Sequence, residues 1–598
     1  MGYVTKLNTS EAGGKEVFHL VLIKPTRYGD DGYSIHWDRS PMPTNSLACL
    51  LALSNECRDK SVLGSDVEIV ITPIDETTSC VDCHALAREI KADGGRALVG
   101  MVGVQSNQFP RCMDLARQFI NLDVPVCIGG FHVTGSLSML PEPAPEIAEA
   151  TKLGISLFLG EAEEGRLAKV LQDAYHGRMQ PIYDFRNQLP GLEGEPVPIL
   201  PQEITSQSLN KMTCMDLGRG CPFDCSFCCI INVQGRKSRF RSADDVEKIL
   251  LENHKNGVYR YFITDDNFAR NKNWESLLDR MIEVQRREGF RLKLVMQVDM
   301  LCHKVKGFID KSAEAGAEMV FCGMENINPE NLKYMKKPQN RISEYREMML
   351  QWKKHSVLVA GGYIIGLPND SRESVMRDVD TIKKELPLDF LAISIITPLP
   401  GSRDHQEMSA AGKWMDPDLN KYNLTYCVRE HATMSAKELE QLLRDVYIHF
   451  YTDEHMETVL RRHAVLGGAR GTILATYFKF YGLMSNVHKL YSYDTGLIRY
   501  RYRSSRRPGF PKENWFVFHA KSVYDRVRTY YIITREVRRA IRTAYRIWAE
   551  IKRDGYKDKA TTLQGADGLL ELYPQAAPKR KREKTSKQVS LEEQITHV

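Results

Sequence analysis

Three cysteines stand close together in one short segment, Cys221, Cys225 and Cys228, in the pattern CxxxCxxC. Thiolates at this spacing on one loop can wrap one face of a cubane iron–sulfur cluster. The loop then supplies three ligands for four irons, which leaves one iron open to a chelating small molecule. Structural zinc is the alternative, but zinc usually takes four protein ligands in paired sets, and no matching pair stands nearby. We therefore predict a cluster with an open iron.

An aromatic residue, Phe227, directly precedes the last cysteine of this segment. With it, residues 218–229 resemble the cluster loop of the radical S-adenosylmethionine (radical SAM) superfamily. The resemblance implies a [4Fe-4S] cluster whose open iron binds SAM, and reductive cleavage of SAM to methionine and a 5′-deoxyadenosyl radical. It also implies an external electron donor of the flavodoxin or ferredoxin type.

Polar residues and glycines also stand where predicted strands end, downstream of the cluster loop. Side chains at the carboxyl ends of barrel strands face the active site. Residues 323–326 and 361–368 resemble the segments with which the superfamily contacts SAM and cradles its adenine. The carboxylates could instead cap the following helices, and the glycines could simply form a turn. We name six candidate SAM contacts in addition to Phe227: Asp265, Asp266, Gln297, Glu325, Gly362 and Ile364.

Apolar strand candidates and helical stretches alternate twice along the chain. The second series, within residues 211–408, predicts a partial (β/α)6 TIM barrel with its site at the carboxyl ends of the strands. Its six strand candidates are residues 212–217, 259–263, 292–298, 319–322, 357–364 and 390–396. The first series, within residues 1–185, predicts a Rossmann-like parallel sheet flanked by helices. Its five strand candidates are residues 18–23, 67–71, 97–104, 124–128 and 155–159.

A parallel sheet ahead of a radical SAM barrel resembles the cobalamin-binding branch of the superfamily, and so do residues 102–106, 126–134 and 159–164. In open parallel sheets ligands bind beyond the carboxyl ends of the strands, where glycines let the backbone approach them. The resemblance implies cobalamin contacts at seven residues: Gln105, Ser106, Gly129, Gly130, His132, Gly160 and Glu161. We expect His132 to contact the cobalamin tail or to be structural, not to ligate cobalt.

One departure from other cobalamin domains concerns the cobalt ligand. Domains that bind cobalt through histidine carry Asp-x-His-x-x-Gly, whereas here Asp82 and His84 are followed by Ala87. Asp82 is more simply explained as a helix cap. The radical branch commonly lacks that ligand, so cobalamin rests on the loop resemblance. A Rossmann-like domain that binds substrate, or no ligand, is the alternative.

The remaining chain differs from both series. Residues 186–210 are rich in Pro, Gly and Glu and predict a linker. Residues 409–577 predict a mainly helical region with helices over 436–450 and 524–556, and residues 578–598 predict a disordered basic tail. Arg and Tyr alternate over residues 499–503, which suits a strand packed on the barrel, a membrane interface or, least favoured, nucleic acid.

Composition places the chain among globular proteins, with 42% apolar and 26% charged residues in 598. No apolar run reaches the ~18–20 residues that cross a bilayer, and no signal-peptide pattern begins the sequence. We therefore expect a cytoplasmic protein, with peripheral membrane contact as an option. In that reducing compartment the 14 cysteines are expected as ligands or buried thiols, not disulfides.

Together the resemblances imply a cobalamin-dependent radical SAM enzyme that methylates an unactivated carbon of a small-molecule or lipid intermediate. The first alternative keeps the cofactors but moves no methyl group, as in oxidative ring closure or carbon–carbon coupling by the cyclase of bacteriochlorophyll synthesis. The second alternative is a non-catalytic iron–sulfur sensor or nucleic-acid-binding module.

Overall fold

Two parallel six-stranded sheets organise the described part of the chain, which comprises residues 3–9, 14–488, 491 and 495–563 of this computed structural model. The predicted tail, residues 578–598, lies outside the described residues, as does the end of the predicted helical region 409–577. Both sheets are all-parallel, so each needs helical crossovers between its strands.

In the first sheet, alternate residues of one strand enter two different cores. Leu20 and Leu22 pack on one face, and Val21 and Ile23 pack on the other. A parallel sheet covered on both faces needs apolar residues at every position, which explains the unbroken apolar runs in the sequence. From edge to edge the strands are Val67–Asp75, Glu16–Lys24, Ala97–Met101, Val126–Gly129, Ser156–Leu159 and Ile182–Asp184.

Helices cover both faces of this sheet, and they confirm the predicted Rossmann-like domain. They are Asn45–Asp59, Cys83–Ala92, Phe109–Ile120, Phe131–Met139, Pro145–Lys152 and Arg166–Tyr175. Asp82 caps the second of them by accepting from the Ala85 amide at 3.0 Å, as its position predicted. The sixth strand, Ile182–Asp184, was not predicted because it has only three residues, of which Tyr183 alone is buried.

The second sheet keeps its six strands in chain order, which confirms the partial barrel. They are Thr213–Met215, Arg260–Ile263, Lys293–Val298, Ala317–Glu325, Leu358–Ile365 and Phe390–Ile395. The helices between and after them include Ala243–Lys255, Trp274–Glu288, Phe308–Glu314, Tyr345–Lys353, Arg372–Glu385 and Arg403–Ala410. The strand ending at Glu325 has a register irregularity before that residue, whose φ is +59°.

The C-terminal helices extend the core of the barrel. They are Ala436–Phe450, Asp453–Val465, Thr472–His488 and the 40-residue helix Trp515–Asp554. Leu439, Val446 and Phe450 belong to the same apolar cluster as the barrel strands. The Tyr447 hydroxyl donates to the Ile393 carbonyl at 3.0 Å. Within the described residues, no helix is both long and apolar enough to pass through a bilayer.

The alternating Arg and Tyr segment corrects one sequence expectation. Arg499–Tyr500 pairs antiparallel with His36–Trp37 of the N-terminal domain and does not pack on the barrel. Asp31 accepts from both Arg499 and Arg501, at 2.8 and 2.7 Å, and a second nitrogen of Arg501 contacts Asp525. The arginine side of this segment therefore faces carboxylates of its own chain.

Candidate active site between the two sheets

The loop that carries the three cysteines follows the first barrel strand and is fixed by backbone hydrogen bonds to two neighbouring segments. The Cys221 amide donates to the Gly235 carbonyl at 3.2 Å, and the Ser226 amide donates to the Met335 carbonyl at 3.1 Å. Gly220 has a φ of +93°, and a Cβ there would lie 2.4 Å from the Lys237 carbonyl oxygen. Only glycine suits that position, so the local geometry of the loop depends on Gly220.

A buried lysine stands beside these thiols. Burial raises the pKa of Cys225 and of Cys228, which opposes the thiolate form that binds iron. The Lys337 ammonium acts in the opposite direction on Cys225, because it favours the negative charge. Lys337 also donates to the Gly323 carbonyl at 3.0 Å, pairs with Glu325 and lies 5.9 Å from the Phe227 ring centroid.

The ligand chemistry of the loop fits a cubane. Within the ranges that the structure describes, no three His, Cys, Asp or Glu side chains converge as the ligands of one metal ion do. In a cubane each thiolate binds a separate iron, so three sulfurs spread along one loop suit it. The Gln339 amide nitrogen, 3.5 Å from the Cys225 sulfur, adds a hydrogen-bond donor of the kind that tunes such clusters.

Two of the predicted SAM contacts meet on adjacent barrel strands. A Cβ added to Gly362 would lie 3.3 Å from Glu325 Oε2 and 3.0 Å from the ring of Phe321. The space in front of Gly362 is therefore a cradle that a side chain would fill, bounded by a carboxylate and an aromatic ring. Ile364, further along the same strand, is buried, and its carbonyl accepts from Asn326 at 3.2 Å.

Asp265 and Gln297 lie together under this region. Asp265 is buried and accepts from the Asn271 amide at 2.8 Å, while its Oδ1 has no hydrogen-bond partner among the residues that the structure describes. Gln297 donates to the Asp265 backbone carbonyl at 3.4 Å. Burial raises the pKa of Asp265 well above its usual range, as expected of a carboxyl with an unsatisfied oxygen.

Asp266 lines a cavity of about 330 Å³ between the two sheets. Small-molecule sites typically measure ~300–1,000 Å³. Burial raises the pKa of Asp266 to about 7, so its carboxyl can hold or release a proton near neutrality. The barrel also contributes Thr264 and Arg219 to the wall, and the N-terminal domain contributes an apolar row from the face of its sheet: Leu20, Leu22, Leu98, Gly100, Cys127 and Phe158.

Four of the predicted cobalamin contacts line this cavity: Gly129, Gly130, Gly160 and Glu161. Gly130 has a φ of +144°, and a Cβ there would lie 2.2 Å from the Val104 amide nitrogen. Its neighbour Gly129 leaves the end of its strand without a side chain at the wall. The close approach of the Val104 backbone therefore requires glycine at Gly130, and the cavity borders these glycines at the carboxyl ends of their strands.

The other three predicted cobalamin contacts are not among the residues that line the cavity. The Gln105 amide donates to the Gln108 side chain, in a cap of the following turn. His132 is fully buried, with Nδ1 3.2 Å from the Ser106 hydroxyl and its ring 4.4 Å from that of Phe109. Burial lowers the pKa of His132 to about 3, which keeps the ring neutral.

A buried network of charges joins the two domains beside the cavity. Arg219 pairs with Glu161 at 2.6 Å, with Glu163 at 2.7 Å and with Asp216 at 2.8 Å. Arg239 pairs with the other oxygen of Glu161 at 2.5 Å. Glu161 thus lines the cavity with both carboxylate oxygens already paired, and Arg219 ties the cluster loop to the N-terminal domain.

Sequence reasoning gave no role to Arg219, Lys337 or Gln339. Arg219 stands two residues before Cys221, and the acidic residues 161–164 had no assigned counter-charge; these were the available signals. Lys337 and Gln339 follow Glu325 by 12 and 14 positions in a segment without a recognisable pattern. The segment that carries Lys337 and Gln339 comes close to the cluster loop only when the chain is folded.

Comparisons with known proteins agree with this geometry. Residues 215–382 match the family model for the radical SAM superfamily. The chain is 27% identical over 333 residues to bacteriochlorophyllide d C-12(1)-methyltransferase of Chlorobaculum tepidum, covering 54% of this chain and 68% of that protein. It is 26% identical over 319 residues to hopanoid C-2 methylase of Rhodopseudomonas palustris, covering 52% and 58%.

A solved structure shares the arrangement of the domains. The cobalamin-dependent S-adenosylmethionine radical enzyme OxsB with aqua-cobalamin superposes with a TM-score of 0.50 and 12% identity, over 90% of this chain and 84% of that one. At this identity the likeness concerns the fold alone. The chain is a radical SAM enzyme, whose cofactors include a [4Fe-4S] cluster and SAM. This confirms the predicted family, fold class and enzyme class.

Proposed function

We propose that this enzyme is a cobalamin-dependent radical methyltransferase that methylates a carbon of a small, largely apolar substrate. One observation carries the proposal: the cavity is bounded both by the glycine loops of the N-terminal sheet and by Asp266 beside the cluster loop. Such a cavity can bring two cofactors to one substrate. The names of the relatives, a methyltransferase and a methylase, support the same reaction class.

The N-terminal wall suits the proposed cobalamin. Leu20, Leu98 and Phe158 give it an apolar surface along the sheet, and Gly100 leaves room between them. An apolar slot of this kind can hold the aromatic base of a nucleotide-like tail, while the glycines at the strand ends admit the larger part of the ligand. When bound, the cluster and SAM would supply hydrogen abstraction, and cobalamin would supply a methyl group that it receives from a second SAM molecule.

The barrel wall suits the binding of the cluster and SAM. We propose Cys221, Cys225 and Cys228 as the cluster ligands, with Lys337 offsetting the charge of their thiolates. The carboxylate of Glu325 and the cradle at Gly362 are placed to hold polar and flat parts of SAM. We propose five further SAM contacts: Phe227, Asp265, Asp266, Gln297 and Ile364.

The proposal also covers the limits of the domains and the residues that contact cobalamin. We propose a cobalamin domain over residues 1–185, a linker over 186–210, the radical SAM barrel over 211–408 and a helical region over 409–577. Gly129, Gly130 and Gly160 are the strongest cobalamin contacts, because they line the cavity. Glu161 contributes to the cobalamin site as a cavity-lining residue held in place by its ion pairs, whereas Gln105, Ser106 and His132 support the loops behind it.

The test uses SAM with a deuterated methyl group, which is supplied to reduced, cobalamin-loaded enzyme with candidate apolar substrates. We expect product that carries the deuterated methyl group, together with 5′-deoxyadenosine, by mass spectrometry. Product that is cyclised or coupled and carries no label would replace methyl transfer with the oxidative alternative. Absence of 5′-deoxyadenosine under reducing conditions would favour the non-catalytic module.

A radical SAM enzyme acts on a small-molecule substrate and needs a reductant. We propose a hydrophobic or lipid intermediate, because the cavity wall is mainly apolar. We also propose a flavodoxin- or ferredoxin-like donor and a cytoplasmic location with peripheral membrane contact. Arg499 and Arg501 do not supply that contact, because carboxylates of the chain itself hold them.

A further inference from the structure

The long helix Trp515–Asp554 presents apolar side chains to solvent along one face of its first half. Phe516 is 75% exposed, Val527 64% and Tyr530 64%. With Val523 and Tyr531 they lie at spacings of three, four and seven residues, which places them on one side of a helix. We call these five residues the exposed face.

The opposite side of the same helix is already packed. Its buried residues are Phe518, Ser522, Thr529, Ala540, Ala544 and Ile547. Near its start, Phe518 contacts Tyr33 of the N-terminal domain, with ring centroids 5.2 Å apart. Near its end, Glu550 pairs with Arg461 at 3.4 Å. The helix is therefore held on both parts of the molecule, and the exposed face is not needed for that packing.

Positive charge continues from this face. The helix carries ten Lys or Arg and four Asp or Glu. One turn beyond the exposed face, a shallow surface cavity is lined by Tyr531, Thr534 and four arginines: Arg535, Arg538, Arg539 and Arg542. Arg535 pairs with Glu536 and Arg539 with Asp453, so part of this charge is balanced within the chain.

We propose that the exposed face and the adjoining arginines dock the enzyme on an anionic lipid bilayer. A helix in the plane of a membrane combines an apolar face rich in aromatic residues with cations that meet anionic headgroups. Tyrosine and tryptophan suit this interface because one end of the side chain is apolar and the other is polar. Burial of the exposed face would remove a contiguous apolar surface from water.

Charge disfavours the other occupants. A second copy of this chain would bring two arginine rows together across a symmetric contact, which costs free energy. Residues 579–585 are themselves mainly Lys and Arg, so they do not complement the helix either. Nucleic acid would pair with the arginines, but aliphatic Val523 and Val527 at the centre of the face offer it neither a charge nor a stacking surface.

The experiment measures binding of the full-length holoenzyme to sedimented vesicles. One set is phosphatidylcholine, and the other is equal parts phosphatidylcholine and phosphatidylglycerol. We expect binding to the mixed vesicles to be about tenfold tighter. The combined change Phe516→Ser, Val523→Ser and Val527→Ser should weaken it about tenfold or more, since each side chain loses its transfer from water.

A matched control changes one aromatic and two aliphatic exposed residues elsewhere: Trp414→Ser, Ile448→Ser and Ile473→Ser. It should bind mixed vesicles like the wild type. Arg535→Gln with Arg538→Gln and Arg542→Gln should remove the preference for anionic lipid, and leaves the Arg539–Asp453 pair intact. None of these residues lines the cavity between the sheets.

Several results would overturn the proposal. No binding to either vesicle, or equal losses in the face variant and the control, would contradict it directly. A dimer in sedimentation velocity that only the face variant dissociates would assign the face to a second copy. Binding of a labelled single-stranded oligonucleotide that displaces vesicles and requires the arginines would assign it to nucleic acid. The readouts need no turnover, so they do not depend on the proposed methyl transfer.

Discussion

The two walls of the cavity use opposite means to hold a ligand. The barrel side acts through side chains: Asp266 in the cavity wall brings a carboxyl with a raised pKa, and Cys225 and Lys337 at the cluster loop bring a thiol and a buried cation. The N-terminal wall instead lacks side chains at Gly100 and Gly129, which line the cavity with backbone only. Removal of a side chain should therefore impair ligand binding on the barrel side, and addition of a side chain should impair it at the N-terminal wall.

Cys225→Ala should have the largest effect. Without this ligand the cluster is not held at three corners, so SAM cleavage should fall by about 10³-fold or more. Iron content and the visible absorbance of the reconstituted protein give the measurement. Cys229→Ala is the matched control, because Cys229 directly follows Cys228 but lies outside the CxxxCxxC pattern. A cluster retained in the first variant would break the comparison.

Arg219→Met tests the contact between the walls. It leaves Glu161, Glu163 and Asp216 buried around an apolar side chain, which should destabilise the fold by roughly 3–5 kcal/mol. Thermal unfolding of the metal-free protein, compared with wild type, measures the change. Arg219→Lys should recover part of the loss, since one ammonium cannot reproduce the forked pairing. Equal stability of Met and wild type would show that the network is dispensable.

Gly100→Leu tests whether the N-terminal wall binds its ligand by leaving room for it. Its side chain should enter the apolar slot and lower cobalamin affinity by about a hundredfold, with iron content unchanged. Gly100→Ala should have a smaller effect, because its Cβ lies 3.2 Å from Leu22 Cδ2 and a small shift accommodates it. Spectroscopic titration with hydroxocobalamin measures both. Affinity independent of side-chain size would remove the slot from the proposed site.

His132→Asn tests whether the buried His132 stabilises the loops behind the cavity. The pKa of His132 is about 3 in the fold, below the ordinary value near 6.5, so the unfolded chain binds more protons between these values. Its contribution is therefore fully present above pH 6.5 and is lost as the pH falls towards 3. The loss should reach about 2 kcal/mol at pH 5.

The measurement is the change in melting temperature between pH 8 and pH 5, which should be smaller in the variant than in the wild type. Buried histidines elsewhere, such as His36 with a pKa of about 4, titrate alike in both proteins and cancel in the difference. An identical pH dependence would mean that His132 is not held neutral in the fold.

Local patterns were enough for the elements and for the cluster loop. Unbroken apolar runs predicted all five N-terminal strands that exceed three residues, because both faces of that sheet are covered. The short strand Ile182–Asp184 carried no such signal. The spacing of Cys221, Cys225 and Cys228 predicted cluster chemistry because all three ligands belong to one loop.

Long-range pairing could not be predicted in the same way. The segment 499–503 was expected to pack on the barrel, to meet a membrane or, least favoured, to bind nucleic acid, yet Asp31, which lies 468 positions from Arg499, accepts from Arg499 and Arg501. Gln105, Ser106 and His132 resembled cofactor contacts because they follow strands; in the structure His132 contacts Ser106, and the Gln105 amide donates to the Gln108 side chain. The position of a loop fixed where these residues lie, and packing fixed what they touch.

The sequence by itself determined the order of the two sheets, the spacing of three thiols on one loop and the glycines at strand ends, because each depends on neighbours within one element or loop. Only the tertiary structure decided that Lys337 lies beside the thiols and that Arg219 forms an ion pair with Glu161. It also decided that one helix exposes an apolar face to solvent. These are contacts between distant segments, and free energies of burial and ion pairing depend on which groups the fold brings together.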